Sequence, residues 1–91
     1  MNMQHIEYIL TLAREKNFSK AAEQLFMTQS ALSQYVRKKE QQLRITIFNR
    51  GNGPITLTPE GELYVKALQK VKQDYVNFQR QLTDLTELRT G

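Results

Sequence analysis

The sequence predicts a mainly helical fold in which three short helices and a two-stranded β-hairpin form a head, and one long helix leaves it. Three observations point there. Apolar residues recur at helical spacing as far as Leu43, and the pattern then changes to β-branched, period-two character with dense turn residues as far as Leu57. Beyond Gly61 no Pro or Gly interrupts the chain until its last residue. With 91 residues there is room for one small domain, because a chain this short buries only about 60% of its unfolded surface.

The first helix is expected across 3–13, where Met3, Ile6, Ile9, Leu10 and Ala13 fall on one face. Asn17 ends it, Phe18 reads as a buried anchor, and Ser19 is the expected N-cap of a short second helix. The apolar side of that helix is Ala21, Ala22 and Leu25, and its small residues let another helix come close. After Phe26 and Met27, Thr28 is the expected N-cap of a third helix over about 28–43, with Leu32, Tyr35, Val36 and Leu43 facing inward. Residues 45–50 and 55–57 read as two strands around the turn Gly51-Asn52-Gly53-Pro54. Two strands alone are marginal, so the hairpin is expected to pack on the helices through Ile45, Phe48, Ile55 and Leu57.

Thr58-Pro59-Glu60 combines a capping hydroxyl, Pro at the first helical position and a carboxylate at the positive end of the helix dipole. The helix that starts there is expected to reach about Leu88, a length of roughly 46 Å. It carries Tyr64, Leu68, Val71, Tyr75, Phe78, Leu82 and Leu85 at alternating spacings of 4 and 3, a coiled-coil seam. A head of some 57 residues cannot cover that face, whereas a second copy can. A homodimer through this helix is the expectation.

Composition excludes several function classes. With no Cys and only His5, neither a disulfide nor a zinc site is expected, and a reducing cytoplasm is the natural location. The N-terminus has no basic export signal, and no apolar run approaches the roughly 18 residues of a membrane span, so no membrane partner is expected. Asp occurs only at Asp74 and Asp84, and no Ser, His and carboxylate set suggests catalysis. Ser19, Thr28 and Thr58 read as caps, and Gly51 and Gly53 as a turn. The expectation is a protein that is no enzyme and holds no metal or cofactor within this chain.

Charge is uneven. Up to position 57 there are eight basic residues against four acidic ones, while beyond it there are five of each. Four of the cations, Arg37, Lys38, Lys39 and Arg44, fall on the third helix and its end. Two helices joined by about three residues form a helix-turn-helix, and the hairpin after them makes it a winged helix-turn-helix. The outer face of the third helix begins with short and amide side chains, the types that reach base edges in a major groove. Gln29, Ser30, Ala31 and Gln34 are the candidate base contacts: an amide can hold adenine in a bidentate pair, and the Ala31 methyl suits a thymine methyl. Ser19, Lys20, Thr28, Ser33, Arg37 and Lys38 are the candidate phosphate contacts.

As far as about Ala67 the chain closely resembles the N-terminal domain of LysR-type transcriptional regulators, a large bacterial family. The resemblance lies in Asn17-Phe18-Ser19-Lys20-Ala21-Ala22-Glu23-Gln24-Leu25, Thr28-Gln29-Ser30-Ala31-Leu32-Ser33-Gln34-Tyr35-Val36, Glu40, Phe48-Asn49-Arg50 and Leu57-Thr58-Pro59-Glu60-Gly61. It implies a winged helix-turn-helix DNA-binding domain over 1–57 and a linker helix over 58–91 that pairs subunits. It also implies binding of double-stranded DNA at interrupted inverted repeats in promoters, with Gln29, Ser30, Ser33 and Gln34 at the groove and Arg50, Asn52 and Gly53 forming the wing. The family's larger C-terminal domain, which binds a small-molecule effector, is absent from this chain, which therefore reads as a fragment. Three positions depart from the family pattern. Lys39 stands where Leu is usual, Arg44 where Gly is usual, and Gly53 where the wing tip usually offers a cation. Lys39 is expected to bury its stem and keep its ammonium in water. Two alternatives stay open from the residues alone: a coiled-coil module whose head binds protein, and a winged helix-turn-helix of another family, such as the molybdate-responsive regulators.

Overall fold

The computed structural model describes residues 2–90, which form four helices and one small hairpin. Helix α1 (Met3–Glu15) is capped by Asn2, whose side chain accepts the Gln4 N–H at 2.7 Å, and it ends at Lys16 in a left-handed conformation. Helix α2 (Phe18–Gln24) is capped by Asn17 rather than Ser19. The Asn17 backbone is extended and its Oδ1 accepts the Lys20 N–H at 2.9 Å, which leaves Ser19 inside the first turn with its hydroxyl free to point elsewhere. Helix α3 (Gln29–Leu43) starts as its sequence predicts, with Thr28 accepting the Ala31 N–H at 3.0 Å.

The turn between α2 and α3 closes with two backbone bonds, Phe26 N–H to the Glu23 carbonyl and Met27 N–H to the Ala22 carbonyl. This is the Schellman pattern, and it forces Phe26 to a φ of 55°. A glycine would sit there without strain, whereas Phe26 adds about 1 kcal/mol of it and leaves its ring 97% exposed.

Ile6, Ile9 and Leu12 of α1 pack with Ala21 and Ala22 of α2, Leu32 and Val36 of α3, and Ile47 and Phe48. Ala21 and Ala22 are buried without bulk, which is what lets α2 lie close to its neighbours. Leu43 departs from expectation and is 41% exposed, because nothing covers its face of α3 at that end of the helix.

The hairpin is shorter than its sequence suggests. Strand β1 (Phe48–Asn49) pairs antiparallel with β2 (Thr56–Leu57), Phe48 opposite Leu57 and Asn49 opposite Thr56. The residues before β1 are held mostly by side chains, with one backbone bond from the Thr58 N–H to the Ile47 carbonyl at 3.0 Å. Glu40 accepts the N–H groups of Ile47 and Phe48, while the Thr58 hydroxyl donates to the Thr46 carbonyl. Freed from strand alternation, Ile47 and Phe48 are both buried. Ile47 therefore joins Phe48 in the core, where the sequence predicts Ile45 and Phe48, and Ile45, Ile55 and Leu57 pack on its edge. The Ile55 N–H bonds the Lys16 carbonyl at 3.1 Å, which fastens the return strand to the end of α1.

Helix α4 (Pro59–Thr90) has 32 residues, roughly 48 Å, in a molecule whose longest extent is 56 Å. Thr58 caps it by accepting the Gly61 N–H at 2.9 Å. A Cβ on Gly61 would lie 2.1 Å from the Ile47 carbonyl oxygen, so only glycine lets the helix start come this close to the wing. Val65 and Leu68 enter the core, and Lys72 pairs with Glu7 of α1 at 2.6 Å. A boundary at position 57 thus passes through the packed head, and α4 is free of it only beyond about residue 72. Among the described residues no helix is long and apolar enough to cross a membrane.

Candidate nucleic-acid interface

Gln29, Ser30, Ser33, Gln34 and Arg37 line one shallow open groove on the outer face of α3. Leu32 and Val36 turn inward, which sends residues 30, 34 and 37 outward on the helical repeat, while Ser33 lies at the margin of the face and Gln29 is exposed because it is the first residue of the helix. Gln29, Ser30, Ala31, Gln34, Arg37 and Lys38 are exposed, and Ser33 is half-buried. A larger depression of about 550 Å³ lies between α1 and α4, floored by Leu10, Ala13, Val65 and Val76, and includes none of them.

Ser19 and Lys20 are exposed at the start of α2 and come beside this face. The Ser19 hydroxyl donates to Gln29 Oε1 at 2.8 Å, which ties the two helices at the surface and fixes the Gln29 side chain. The Thr28 oxygen accepts from the backbone, and its own O–H is left to donate outward. Gln29, Ser30, Ser33, Gln34 and Arg37 are therefore gathered on one surface with Ser19 tied to it, and Lys20, Thr28, Ala31 and Lys38 are exposed on the same two helices and the turn between them.

The wing is divided. Asn52 and Gly53 stand exposed at the tip, Gly53 at a φ of 112°. Arg50 is placed differently from a free wing cation: its Nη2 lies 3.0 Å from Glu40 Oε1 and its guanidinium carbon 5.3 Å from the centre of the Phe18 ring. Glu40 is marked in the sequence as one of the residues of the family resemblance and as the single acid among the cations from Arg37 to Arg44, but neither signal says that it meets Arg50.

Behind α3, His5, Tyr8 and Tyr35 form a cluster, with His5 and Tyr35 rings 4.9 Å apart and Tyr8 and Tyr35 edge to face at 5.1 Å. Lys39 is half-buried, with its ammonium 5.9 Å from the centre of the Tyr35 ring. Burial pushes the Tyr35 phenol up to about 12, with the neighbouring Tyr64 and Tyr8 adding to the effect. Burial raises Tyr64 as well.

Along α4 the expected seam separates into two parts. Leu68 is 1% exposed inside its own head and Tyr64 is half-buried, so Leu68 is not open to another helix. Val71, Tyr75, Phe78, Leu82 and Leu85 are exposed. Among the described residues no group of His, Cys, Asp and Glu is placed to hold a metal ion.

Comparison with known proteins places this geometry in context. The chain is 32% identical over 87 residues, 96% of its length, to the uncharacterized HTH-type transcriptional regulator YcgK of Bacillus subtilis, and spans 27% of that protein. It is 34% identical over 77 residues, 80% of its length, to the HTH-type transcriptional regulator BenM of Acinetobacter baylyi, and spans 25% of it. Among solved structures it superposes on a BenM DBD in complex with benA site 1 DNA with a TM-score of 0.87 at 27% identity, covering 94% of this chain and 97% of that one. Vibrio fischeri DarR in complex with DNA gives a TM-score of 0.83 at 33% identity, over 97% of this chain and 30% of that one. Residues 3–62 match the family model described as bacterial regulatory helix-turn-helix protein, lysR family, and the chain belongs to that family.

Proposed function

We propose that this chain is the promoter-binding part of a bacterial transcriptional regulator. It binds double-stranded DNA sequence-specifically, with α3 in the major groove and the 51–54 tip at the flanking minor groove or backbone. The observation that carries this is the outer face of α3, where Gln29, Ser30 and Gln34 lie beside Arg37 with Ser19 bonded to Gln29 at its rim. Amides and hydroxyls can read base edges while the surrounding cations meet phosphates, a division of labour that an ordinary solvated face lacks. The role is that of a regulator rather than an enzyme, in the cytoplasm. The chain spans about a quarter of the length of its curated relatives.

The protein acts as a homodimer on inverted repeats. Beyond the head, α4 presents Val71, Tyr75, Phe78, Leu82 and Leu85 on one stripe, and a second copy can cover it. Two paired heads bind as one molecule, and half-sites lie about one helical turn or a multiple apart.

Selection of bound duplexes from a random pool tests both parts. It should return a half-site, inverted and at fixed spacing, whose affinity falls steeply with salt in proportion to the phosphates contacted. Enrichment of nothing, or binding without salt dependence, would count against DNA as the ligand. Half-sites returned singly would assign the α4 stripe to packing against the remainder of a longer protein.

A further inference from the structure

We propose that Glu40 and Arg50 are a positioning pair that sets the wing against α3, so that Arg50 acts on DNA binding through this pair and not through a phosphate. This rests on the DNA-binding function proposed above and assigns a role to two residues inside it. The Glu40 carboxylate makes three contacts. Its Oε2 accepts the N–H groups of Ile47 at 2.7 Å and Phe48 at 3.4 Å, and its Oε1 accepts from Arg50 at 3.0 Å. Its side chain is only 14% exposed and that of Arg50 31%. The other face of the Arg50 guanidinium lies over Phe18, the first residue of α2. Three elements therefore meet at one ion pair: α3 through Glu40, the start of the wing through residues 47–50, and α2 through Phe18.

The arrangement matters because it ties the wing to α3, whereas the Ile55 N–H bond to the Lys16 carbonyl ties it to the end of α1. The wing's ladder is two residues per strand. The chain entering it is gripped by its N–H groups from Glu40 on one side and by its carbonyls from Thr58 on the other. Glu40 stands about one turn beyond Arg37 and nearly two beyond Gln34 on the same helix, so the element that presents the groove face also fixes the wing's base. For Arg50 to reach a phosphate it must leave the carboxylate and the ring together, giving up a charge-assisted bond and a cation–π contact. The tip, Gly51-Asn52-Gly53-Pro54, has no cation of its own. Its contribution to binding is where it lies rather than how strongly it attracts.

The test uses the 91-residue chain, with Glu40→Gln, Arg50→Gln and the double variant titrated against a pool-selected duplex and a random one at several salt concentrations. Each single variant should weaken binding to the selected duplex about tenfold, with the double variant no weaker than either single one, because both break one contact. The salt slope should stay within about half a unit of the parent's. Amide exchange at Ile47 and Phe48 should quicken in Glu40→Gln while Leu32 and Val36 keep their protection, a localised change that general loss of stability does not produce. A phosphate-bound Arg50 predicts the opposite pattern. Arg50→Gln then lowers the slope by about one unit per half-site contact, and Glu40→Gln, by releasing a cation, binds more tightly. Either result overturns the proposal. If Glu40→Gln does not fold, the slope of Arg50→Gln alone decides. A folded parent that binds no duplex defeats the DNA-binding function itself, which is a different outcome from either.

Discussion

The base of the wing and the open stripe of α4 use the same kinds of residue to different ends. Around residues 46–48 and 58–68, polar groups meet partners within the chain and the apolar side chains facing the head are covered, Leu63 on the opposite side of α4 being exposed: Thr58 holds two carbonyls, Glu40 two amides, and Val65 and Leu68 lie in the core. Along 71–85, and on the outer face of α3, comparable side chains are presented outward. One heptad pattern runs through both parts of α4, yet the first part closes a fold and the second is left for something else. Substitutions in the closed region should change stability, and substitutions in the open region should change association.

The largest expected effect is Leu82→Lys, which places a charge in the exposed stripe far from the α3 face. If two copies pair there, sedimentation should show loss of the dimer, and affinity for an inverted repeat should drop by about 100- to 10,000-fold, with a single half-site little affected. A monomeric parent with undiminished site affinity would sink the dimer. Leu68→Ala, 14 residues earlier on the same seam, should do the reverse. Urea titration should show a loss of about 2 to 5 kcal/mol of head stability, because a fully covered side chain leaves a cavity. Equal stability losses at the two positions would erase the distinction between the halves of α4.

Smaller effects test the open face of α3. Gln34→Ala should cost about 1 to 3 kcal/mol on the preferred duplex and relax base choice at one position of each half-site. Weakening by the same factor on every sequence would instead make Gln34 a backbone contact. At Gln29 the Ser19 hydroxyl fixes the amide, so Ser19→Ala should broaden the base preference at the position that Gln29 reads without unfolding α2, whose cap is Asn17. An unchanged preference profile in the Ser19 variant would show that the tie has no part in recognition.

The smallest effect is expected at high pH in the closed region. The Tyr35 phenol is raised from its ordinary 10.0 to about 12 by burial and by Tyr64 and Tyr8. As pH rises past 10 the unfolded chain loses this proton first, so stability that is fully present below pH 10 declines until about pH 12. Melting temperatures across that window should fall more in the parent than in Tyr35→Phe. Parallel declines would assign the alkaline loss to other groups.

How far these regions could be anticipated depends on how local their causes are. Thr28 and Thr58 are legible as caps because a cap bonds an amide three residues away, within the reach of a motif. The α3 face is legible because one helix turns Leu32 and Val36 inward and so determines where Ser30, Gln34 and Arg37 point, with Gln29 at the helix start beside the Thr28 cap. Asn17 and Ser19 compete for the same cap two residues apart, and composition does not separate them. Here Asn17 takes it, and Ser19 gains a partner on another helix.

By itself the sequence determined the order of elements, the turn between α2 and α3, the residues of the groove face and the length of α4, since each follows from periodicity and capping over a few residues. Only the tertiary structure decided which part of the seam is covered, that Ile47 is buried beside Phe48, that Leu43 is not, and that Arg50 lies between Glu40 and Phe18. The physical reason is that burial and ion pairing depend on what lies across from a residue. Arg50 is ten residues from its acid and thirty-two from its ring. Helical and strand periods hold no information over such separations, and the partners are chosen when α2, α3 and the wing pack together.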